Sequence, residues 1–269
     1  MLRTPPTLLA ASSAALTEVR SAGPLVQCVT NTVTVNFVAN TLLAIGASPA
    51  MVDVPDEAGP MVRAASAVLI NLGTPSAEQR DAMLETAEAC AHAGRPWVLD
   101  PVAVGGLPVR TALGRQLLEL RPTVIRGNAS EIRALAGAGT GGRGVDASDG
   151  VEEAVDDARA LARSTGGVVA ASGPVDLVTD GETVIRISNG HPLLTRVTGG
   201  GCALGGIVAA FTGCHGETLE AVVAACTAYG IAAEQAAATA GGPGTFAVSL
   251  LDALASLTAE HLTESGRIA

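Results

Sequence analysis

The stretch Val124-Ile-Arg-Gly-Asn-Ala-Ser-Glu-Ile132 changes character halfway along. Its first residues are apolar and β-branched, which suits a buried strand. Gly127 then breaks the run, and Asn128 with Glu131 three positions later reads as a helix-opening capping box. A strand that turns directly into a helix is the building unit of a parallel α/β sheet. The same pattern recurs along the chain. Apolar runs at 25–30, 50–54, 67–72, 97–102 and 168–172 each lead into a glycine-containing loop and then a helical periodicity. Near-continuous apolar strands of this kind belong to a sheet covered on both faces. Helices are expected near 33–45, 76–93, 110–119, 130–137, 150–165, 202–213, 217–239 and 245–264. Residues 177–179 and 184–187, joined across Asp180-Gly181, read as a β-hairpin. The expectation is one α/β domain over 1–269, a mostly parallel central sheet with helices on both faces. The one loose stretch, 137–144, is too short for a domain linker.

Composition narrows the chemistry. The 269 residues are 48% hydrophobic and 16% charged, which excludes a disordered or fibrous chain. A net charge of −10 argues against a general binder of nucleic-acid backbones. All 16 basic residues are arginine, and there is no lysine. That removes a Walker A loop and any lysine Schiff base, so phosphate handling must rely on backbone amides, arginine or a metal. The five cysteines, Cys28, Cys90, Cys202, Cys214 and Cys226, include no C-x-x-C pair, which points to a reducing cytoplasm. Residues 1–24 faintly resemble a signal peptide, but Pro5, Pro6, Ser12 and Ser13 interrupt the apolar run and Glu18 and Arg20 follow it. The apolar runs near 201–211 and 221–233 fall short of the ~20 residues of a membrane span and read as buried helices.

Ligands of open α/β sheets bind beyond the carboxyl ends of the strands, and four segments there carry chemistry. The first is Arg196-Val-Thr-Gly-Gly-Gly-Cys-Ala-Leu-Gly-Gly206, a glycine run opening an apolar helix. Unpaired amides of Gly199, Gly200, Gly201 and Cys202 would hold an anion there, helped by the helix dipole. Cys202 lies in the first turn, where the same field is expected to favour the thiolate. In the second, Val124–Ile132, Asn128 and Glu131 are explained either as a helix cap or as organisers of a hydrated Mg²⁺, with Arg126 on nucleotide phosphates. In the third, Val98-Leu-Asp-Pro-Val-Ala-Val-Gly105, Asp100 ends an apolar strand, where it could bind the metal or orient Arg126; the alternative is a solvated turn aspartate. The fourth runs from Cys28 to Asn40: Asn31 ends the first strand, and Asn36 and Asn40 lie one helical turn apart, expected to be buried and to need each other or a polar ligand as partners. Met51, after Gly46-Ala-Ser-Pro-Ala, offers an adaptable apolar side chain at the next strand end. The histidines form no ligand-spaced set, and Trp97 and Tyr229 are too isolated for a base-stacking platform.

Taken together these motifs resemble hydroxyethylthiazole kinase, a thiamine-salvage member of the ribokinase-like superfamily. The resemblance runs from about Val26 to the last helix. It rests on Thr30-Asn31-x-Val33-Thr34-x-Asn36-x-x-Ala39-Asn40, Gly46-Ala47-Ser48-Pro49-x-Met51, Asn71-Leu-Gly-Thr74, Leu99-Asp-Pro-Val102-x-Val104-Gly105, Arg126-Gly-Asn128-x-Ser130-Glu131 and Thr198-Gly-x-Gly-Cys-Ala-Leu204. It implies a ribokinase-like three-layer sandwich and an ATP- and Mg²⁺-dependent kinase for the primary alcohol of 4-methyl-5-(2-hydroxyethyl)thiazole. By position, Asn31, Met51, Gly73, Thr198 and Gly199 would line the thiazole pocket. Arg126 and Ser172 would contact ATP, and Asn128 and Glu131 would serve the phosphates and magnesium. Cys202 would face the substrate hydroxyl, where most ribokinase-like enzymes have an aspartate base. The resemblance also implies a homotrimer with sites between subunits. Gly200 departs from it, since many relatives are expected to carry threonine or another larger residue there.

The nearest alternatives are another ribokinase-like kinase, such as one for hydroxymethylpyrimidine, and the ATP- or ADP-dependent dehydratase that repairs hydrated NAD(P)H. Cys202 and the Asn31–Asn40 segment speak against the first. The second would be expected to keep aspartate at 202. A non-catalytic nucleotide-binding protein is disfavoured by the intact Glu131, Arg126 and Cys202.

Overall fold

The computed structural model describes residues 3–138 and 150–269. The loose stretch expected at 137–144 lies, beyond Ala138, outside the described residues.

Eight strands form one sheet: β1 (Leu25–Val29), β2 (Ser48–Ala50), β3 (Ala67–Asn71), β4 (Trp97–Asp100), β5 (Val124–Asn128), β6 (Val168–Ser172), β7 (Asp176–Thr179) and β8 (Val184–Ile187). Their spatial order is β2-β1-β3-β4-β5-β6-β7-β8, parallel from β2 to β6 and antiparallel at β6–β7 and β7–β8. The hairpin thus forms where Asp180-Gly181 placed it. Eleven α-helices complete the described residues: α1 (Pro5–Ala22), α2 (Val35–Ile45), α3 (Ala58–Met61), α4 (Ala77–Ala93), α5 (Pro108–Glu119), α6 (Ala129–Leu135), α7 (Val155–Thr165), α8 (Gly200–Thr212), α9 (Thr218–Thr239), α10 (Pro243–Ser256) and α11 (Ala259–Ser265).

Strand periodicity divides the core in two. Ala67 and Leu69 of β3 point to one face, where α1, α2, α8, α9 and α10 supply Leu16, Leu42, Ile207, Val223 and Phe246. Val68 and Ile70 point to the other, against Met83 of α4, Leu117 of α5, Ile132 of α6 and Leu161 of α7. Three layers result, as the ribokinase-like resemblance implies. Helix α9 carries fifteen buried residues through the middle of the first layer. At 22 residues it is long and apolar enough to cross a membrane by length and composition, yet most of it is buried inside the protein. The edge at β8 is covered by the chain's last residues: Arg186 and Ala269 exchange backbone hydrogen bonds, and Ser188 donates to Arg267.

Three expectations change. The strand expected at 50–54 is Ser48–Ala50, in register with Leu25–Gln27. Beyond it the Gln27 amide donates to the carbonyls of Val52 and Ala58 at 3.3 and 2.8 Å and draws the chain across the strand ends. The single helix expected at 245–264 is two, because Leu257 is extended and Thr258 starts a new helix by accepting from the His261 amide. Helix α1 was not expected; Thr4 caps it, Pro5 opens it, and Leu8, Ala15, Leu16 and Val19 bury its inner face.

Candidate active site

The sheet order lines up the candidate residues. Met51, Asn31, Asn71, Asp100, Arg126 with Asn128, and Ser172 end or follow β2, β1, β3, β4, β5 and β6, which are neighbours in that sequence. The N-terminus of α8 lies over this row, with Gly205 close to Leu69 and Asp100.

A hydrogen-bond chain connects the row. Asn31 donates from Nδ2 to Oδ1 of Asn71 at 3.0 Å and to Sγ of Cys202 at 3.6 Å. Asn71 in turn donates to Oδ2 of Asp100 at 2.8 Å. Arg126 Nη1 stands 3.7 Å from the same Asp100 oxygen, and its Nη2 donates to Ser172 at 2.8 Å. The amide orientations are fixed from the backbone: Thr34 N–H donates to Asn31 Oδ1 at 3.1 Å and Gly73 N–H to Asn71 Oδ1 at 2.9 Å. Gly73 is necessary at its place, since a Cβ there would come within 2.6 Å of the Asn31 amide nitrogen. Asp100 is 1% exposed and its Oδ1 has no partner among the described residues, so it is no solvated turn residue.

Asn128 and Glu131 form the capping box read from the sequence. Asn128 Oδ1 accepts from Glu131 N–H, and Glu131 Oε2 accepts from Asn128 N–H, each at 2.9 Å. The second Glu131 oxygen accepts from Ala103 N–H at 2.9 Å, which ties the loop after β4 to α6. Ala103 holds φ at 61°, and Thr74, in the loop after β3, holds 42°. Non-glycine residues seldom adopt such angles, and both lie on loops that wall the site.

Three glycines open α8, and each fits a different wall. Gly199 is the N-cap at φ 92°, and a Cβ on it would press Thr34 at 3.1 Å. A Cβ on Gly200 would meet the Leu194 carbonyl oxygen at 2.5 Å, and one on Gly201 the Arg126 guanidinium at 3.0 Å. The larger residue expected at 200 in relatives therefore does not fit this backbone. Gly200 also departs from the anion-hole expectation, because its N–H donates to the Val197 carbonyl at 3.1 Å. Among the described residues the Gly201 and Cys202 amides have no such partner.

The electrostatics follow from burial. Desolvation pushes Asp100 up to about 7, with Glu131 adding repulsion while Arg126 and the Asn71 amide oppose. Glu131 is raised by burial, against the amides of Asn128 and Ala103. Asp176, whose carboxylate accepts from Gly173 N–H at 2.9 Å, is raised by burial to about 6 with Arg126 opposing. Cys202 corrects an expectation: its pKa is raised, not lowered. Burial and the Asp100 charge outweigh donors from Asn71 and Thr34 and the Arg126 charge.

Asn31, Gly73, Asp100, Arg126, Asn128, Glu131, Ser172 and the Gly199–Cys202 turn are thus brought together. Met51 is half-buried against the first core layer, and Thr198 is exposed at the mouth; among the described residues no hydrogen bond ties either side chain to the chain of amides. Asn36 and Asn40 are not buried. The Asn40 amide donates to the Asn36 carbonyl and side chain at 2.9 and 3.0 Å, so they satisfy each other on the surface of α2. Sequence reasoning quoted Asn71 without assigning it, although a polar residue closing the apolar run Ala67–Asn71 is the same mark that singled out Asp100. It also passed over Asp176, at the start of β7.

Comparison with known proteins gives the family and the fold. The Hydroxyethylthiazole kinase family matches residues 16–260. A hydroxyethylthiazole kinase of Clavibacter sepedonicus is 58% identical over 253 residues, 94% of this chain and 92% of that protein. One from Kineococcus radiotolerans is 53% identical, over 98% of this chain and 97% of its own. The solved structure of a hydroxyethylthiazole kinase protein from Pyrococcus horikoshii OT3 superposes with a TM-score of 0.88 at 37% identity, covering 96% of this chain and 98% of that one. The pyridoxal kinase from Staphylococcus aureus in complex with pyridoxal shares the fold alone, with a TM-score of 0.56 at 15% identity over 78% of this chain and 87% of its own. Fold and sequence therefore agree, and the chain belongs to the hydroxyethylthiazole kinase family.

Proposed function

We propose that this protein transfers the γ-phosphoryl group of ATP to the primary alcohol of 4-methyl-5-(2-hydroxyethyl)thiazole, a step of thiamine salvage. One observation carries the reading beyond family membership. Cys202, in the first turn of α8, is hydrogen-bonded to Asn31 on one side, while Arg126 lies against the neighbouring Gly201 on the other. An acceptor alcohol and a transferring phosphoryl group can meet there, between a thiol and two free helix amides.

Phosphoryl transfer passes through a loose transition state, so positioning and charge stabilisation do most of the work. Asn31, Gly73, Met51, Thr198 and Gly199 line the acceptor side. The Gly201 and Cys202 amides, with Gly199, receive the transferring group; Arg126, Ser172 and Asn128 serve the nucleotide. Cys202 accepts a hydrogen bond from the alcohol as the thiol, and only in its thiolate form could it take the proton, which in a loose transition state departs late. As a half-buried thiol with a raised pKa it is protonated near neutral pH, which suits a partner better than a strong base.

The residues fit a magnesium ion. Asp100 has a buried oxygen without a partner, and Glu131 raises its pKa by repulsion that a cation would relieve. No cluster of three or more histidine, cysteine or acidic side chains is assembled among the described residues, which suits an ion that arrives with the nucleotide. Asp100 and Glu131 would hold it, Glu131 keeping its two backbone amides. The bound ion would neutralise charge on the nucleotide phosphates.

A homotrimer with sites between subunits is supported by large apolar side chains left exposed on the segments that carry Asn31 and Met51. Val33 is 64%, Leu43 59% and Val54 51% exposed. The single sheet supports one domain over 1–269. The five free cysteines support a reducing cytoplasm.

The test is ADP release by the purified protein with Mg-ATP and the hydroxyethylthiazole, hydroxymethylpyrimidine or no acceptor. ADP formed only with the thiazole is expected. Turnover with the pyrimidine alone would overturn the acceptor assignment, and no turnover with either would shift the weight to the repair dehydratase.

A further inference from the structure

Tyr229 is the only tyrosine of the chain and sits in the middle of the apolar helix α9, 3% exposed. Packing alone would be met by phenylalanine. The hydroxyl instead donates to the carbonyl oxygen of Gly200 at 2.7 Å, beneath the first turn of α8. Arg126 and Cys202 are its charged and titratable neighbours, so the tip of the ring reaches the floor of the site.

The bond matters because of what it holds. A run of three glycines has the greatest backbone freedom of any tripeptide, and an anion cradle stabilises charge only when its donors are already aimed. The run has no side chains of its own to fix it; beyond the local backbone bonds from Gly200 N–H to Val197 and from Ala203 N–H to Gly199, it is restrained from outside, by Thr34 beside Gly199, the Leu194 carbonyl behind Gly200 and Arg126 beside Gly201. The Gly200 carbonyl and the Gly201 N–H belong to one planar trans peptide and point in opposite directions. Holding the carbonyl toward α9 therefore turns the Gly201 N–H outward, toward the anion.

We infer that the Tyr229 hydroxyl is a positioning residue for phosphoryl transfer, anchoring the Gly200 peptide from behind so that the Gly201 amide is aimed at the transferring group. The inference rests on the reading of Gly199–Cys202 as the phosphoryl cradle. It goes beyond that reading by placing a determinant of rate outside the site, on the hydrophobic helix beneath it.

The test is Tyr229→Phe, assayed with Mg-ATP and the thiazole well below its melting temperature. As a control, Ile231→Val trims the same helix by one methylene without touching the loop. Tyr229→Phe is expected to lower kcat roughly 3- to 30-fold with the thiazole KM unchanged. That is less than the 10²–10³-fold cost of losing a donor outright. Ile231→Val is expected to lower Tm without lowering kcat. Because the chain has one tyrosine, growth on 3-fluorotyrosine replaces Tyr229 alone and keeps the hydroxyl. That protein should retain the wild-type kcat, and its ¹⁹F resonance should shift when Mg-ATP is added. A Tyr229→Phe protein with wild-type kcat would overturn the proposal, as would a fall in kcat matched by Ile231→Val or a fluorine resonance blind to nucleotide. If the wild-type protein itself released no ADP with the thiazole, the reading of the cradle would fail instead.

Discussion

The side chain of Asn71 faces two directions at once: its Nδ2 donates to Asp100 at 2.8 Å, and its Oδ1 accepts from both Asn31 and the Gly73 amide. It joins Asn31, on the proposed acceptor side, to Asp100, on the proposed nucleotide side. Asn71→Ala leaves the Gly73 N–H without a partner, worth about 1–3 kcal/mol when buried, and leaves Asp100 Oδ2 with only the Arg126 charge at 3.7 Å. It also frees Asn31 to turn away from Cys202. We expect Asn71→Ala to lower kcat by about 10- to 100-fold while melting a few degrees lower. Steady-state kinetics beside a thermal melt check both; wild-type kcat would show that Asn31 needs no support.

Cys202 gives a pH prediction whose sign is fixed by its raised pKa. The thiol form dominates at neutral pH, so any contribution of the thiolate grows as pH rises toward the raised value and is absent at low pH. Cys202→Ser should keep part of the activity and flatten that alkaline rise in kcat, and Cys202→Asp should be tolerated or faster. A Cys202→Ala protein with the wild-type rate would remove the thiol from proton transfer, whereas a dead Cys202→Ser would point to covalent chemistry or to a geometry too tight for the swap.

Adjacent glycines should fail in different ways. Gly200→Ala drives a methyl group into the Leu194 backbone, which cannot give way as a flexible side chain can, and should cost stability on the order of 1–3 kcal/mol. Gly201→Ala meets only the end of Arg126, so it should spare the melting temperature and raise the KM for ATP. Equal melting temperatures for the two variants would contradict the contact geometry.

Away from the site, His215 lies between two carboxylates, with Nδ1 2.7 Å from Glu18 and Nε2 3.4 Å from Glu220. Burial lowers its pKa, but the two hydrogen-bonded carboxylates prevail and raise it above 6.5. The folded pKa exceeds the unfolded one, so the stabilisation is complete below about 6.5 and fades as pH rises through the raised value. Glu18→Gln should therefore lower Tm at pH 5.5 and have little effect at pH 9, with a loss on the order of 0.5 kcal/mol for so exposed a partner. Melts at the two pH values decide it; an equal loss at both would remove the charge from the account.

Much of the fold was legible because β-branched runs, glycine loops and capping residues are local marks, and in β5 and α6 they agree. Residues 177–187 formed their hairpin for the same reason. The strand at 50–54 was misplaced because the Gln27 side chain, distant in sequence, pulls that segment off the sheet. Helix α1 escaped because small residues and two prolines mask an amphipathic face that its packing against α9 and α11 makes necessary. Within the site, Asn31, Asp100, Arg126, Glu131 and Cys202 could be named since each lies in a motif where a strand gives way to a helix or a glycine run opens one. The raised Cys202 pKa could not, because it is set by burial and by a carboxylate about a hundred positions away. The partnership of Asn36 with Asn40 was visible in the spacing, but their exposure was not.

The two ends of the strand row differ in how deeply they are set. Helix α8 is buried from Ala203 to Thr212 and packed between β3, β4 and α9, and the residues it meets are core residues. The proposed acceptor end also draws on Met51, Thr198 and the start of α2, whose side chains are half-buried or exposed within one subunit. Drift at the open end can therefore change which alcohol is accepted without disturbing the machinery that delivers the phosphoryl group. A selection for new acceptors would find its answers at positions such as 33, 51 and 54, while libraries at 200–206 would return mostly dead protein. In this architecture the chemistry is inherited and the substrate is negotiable.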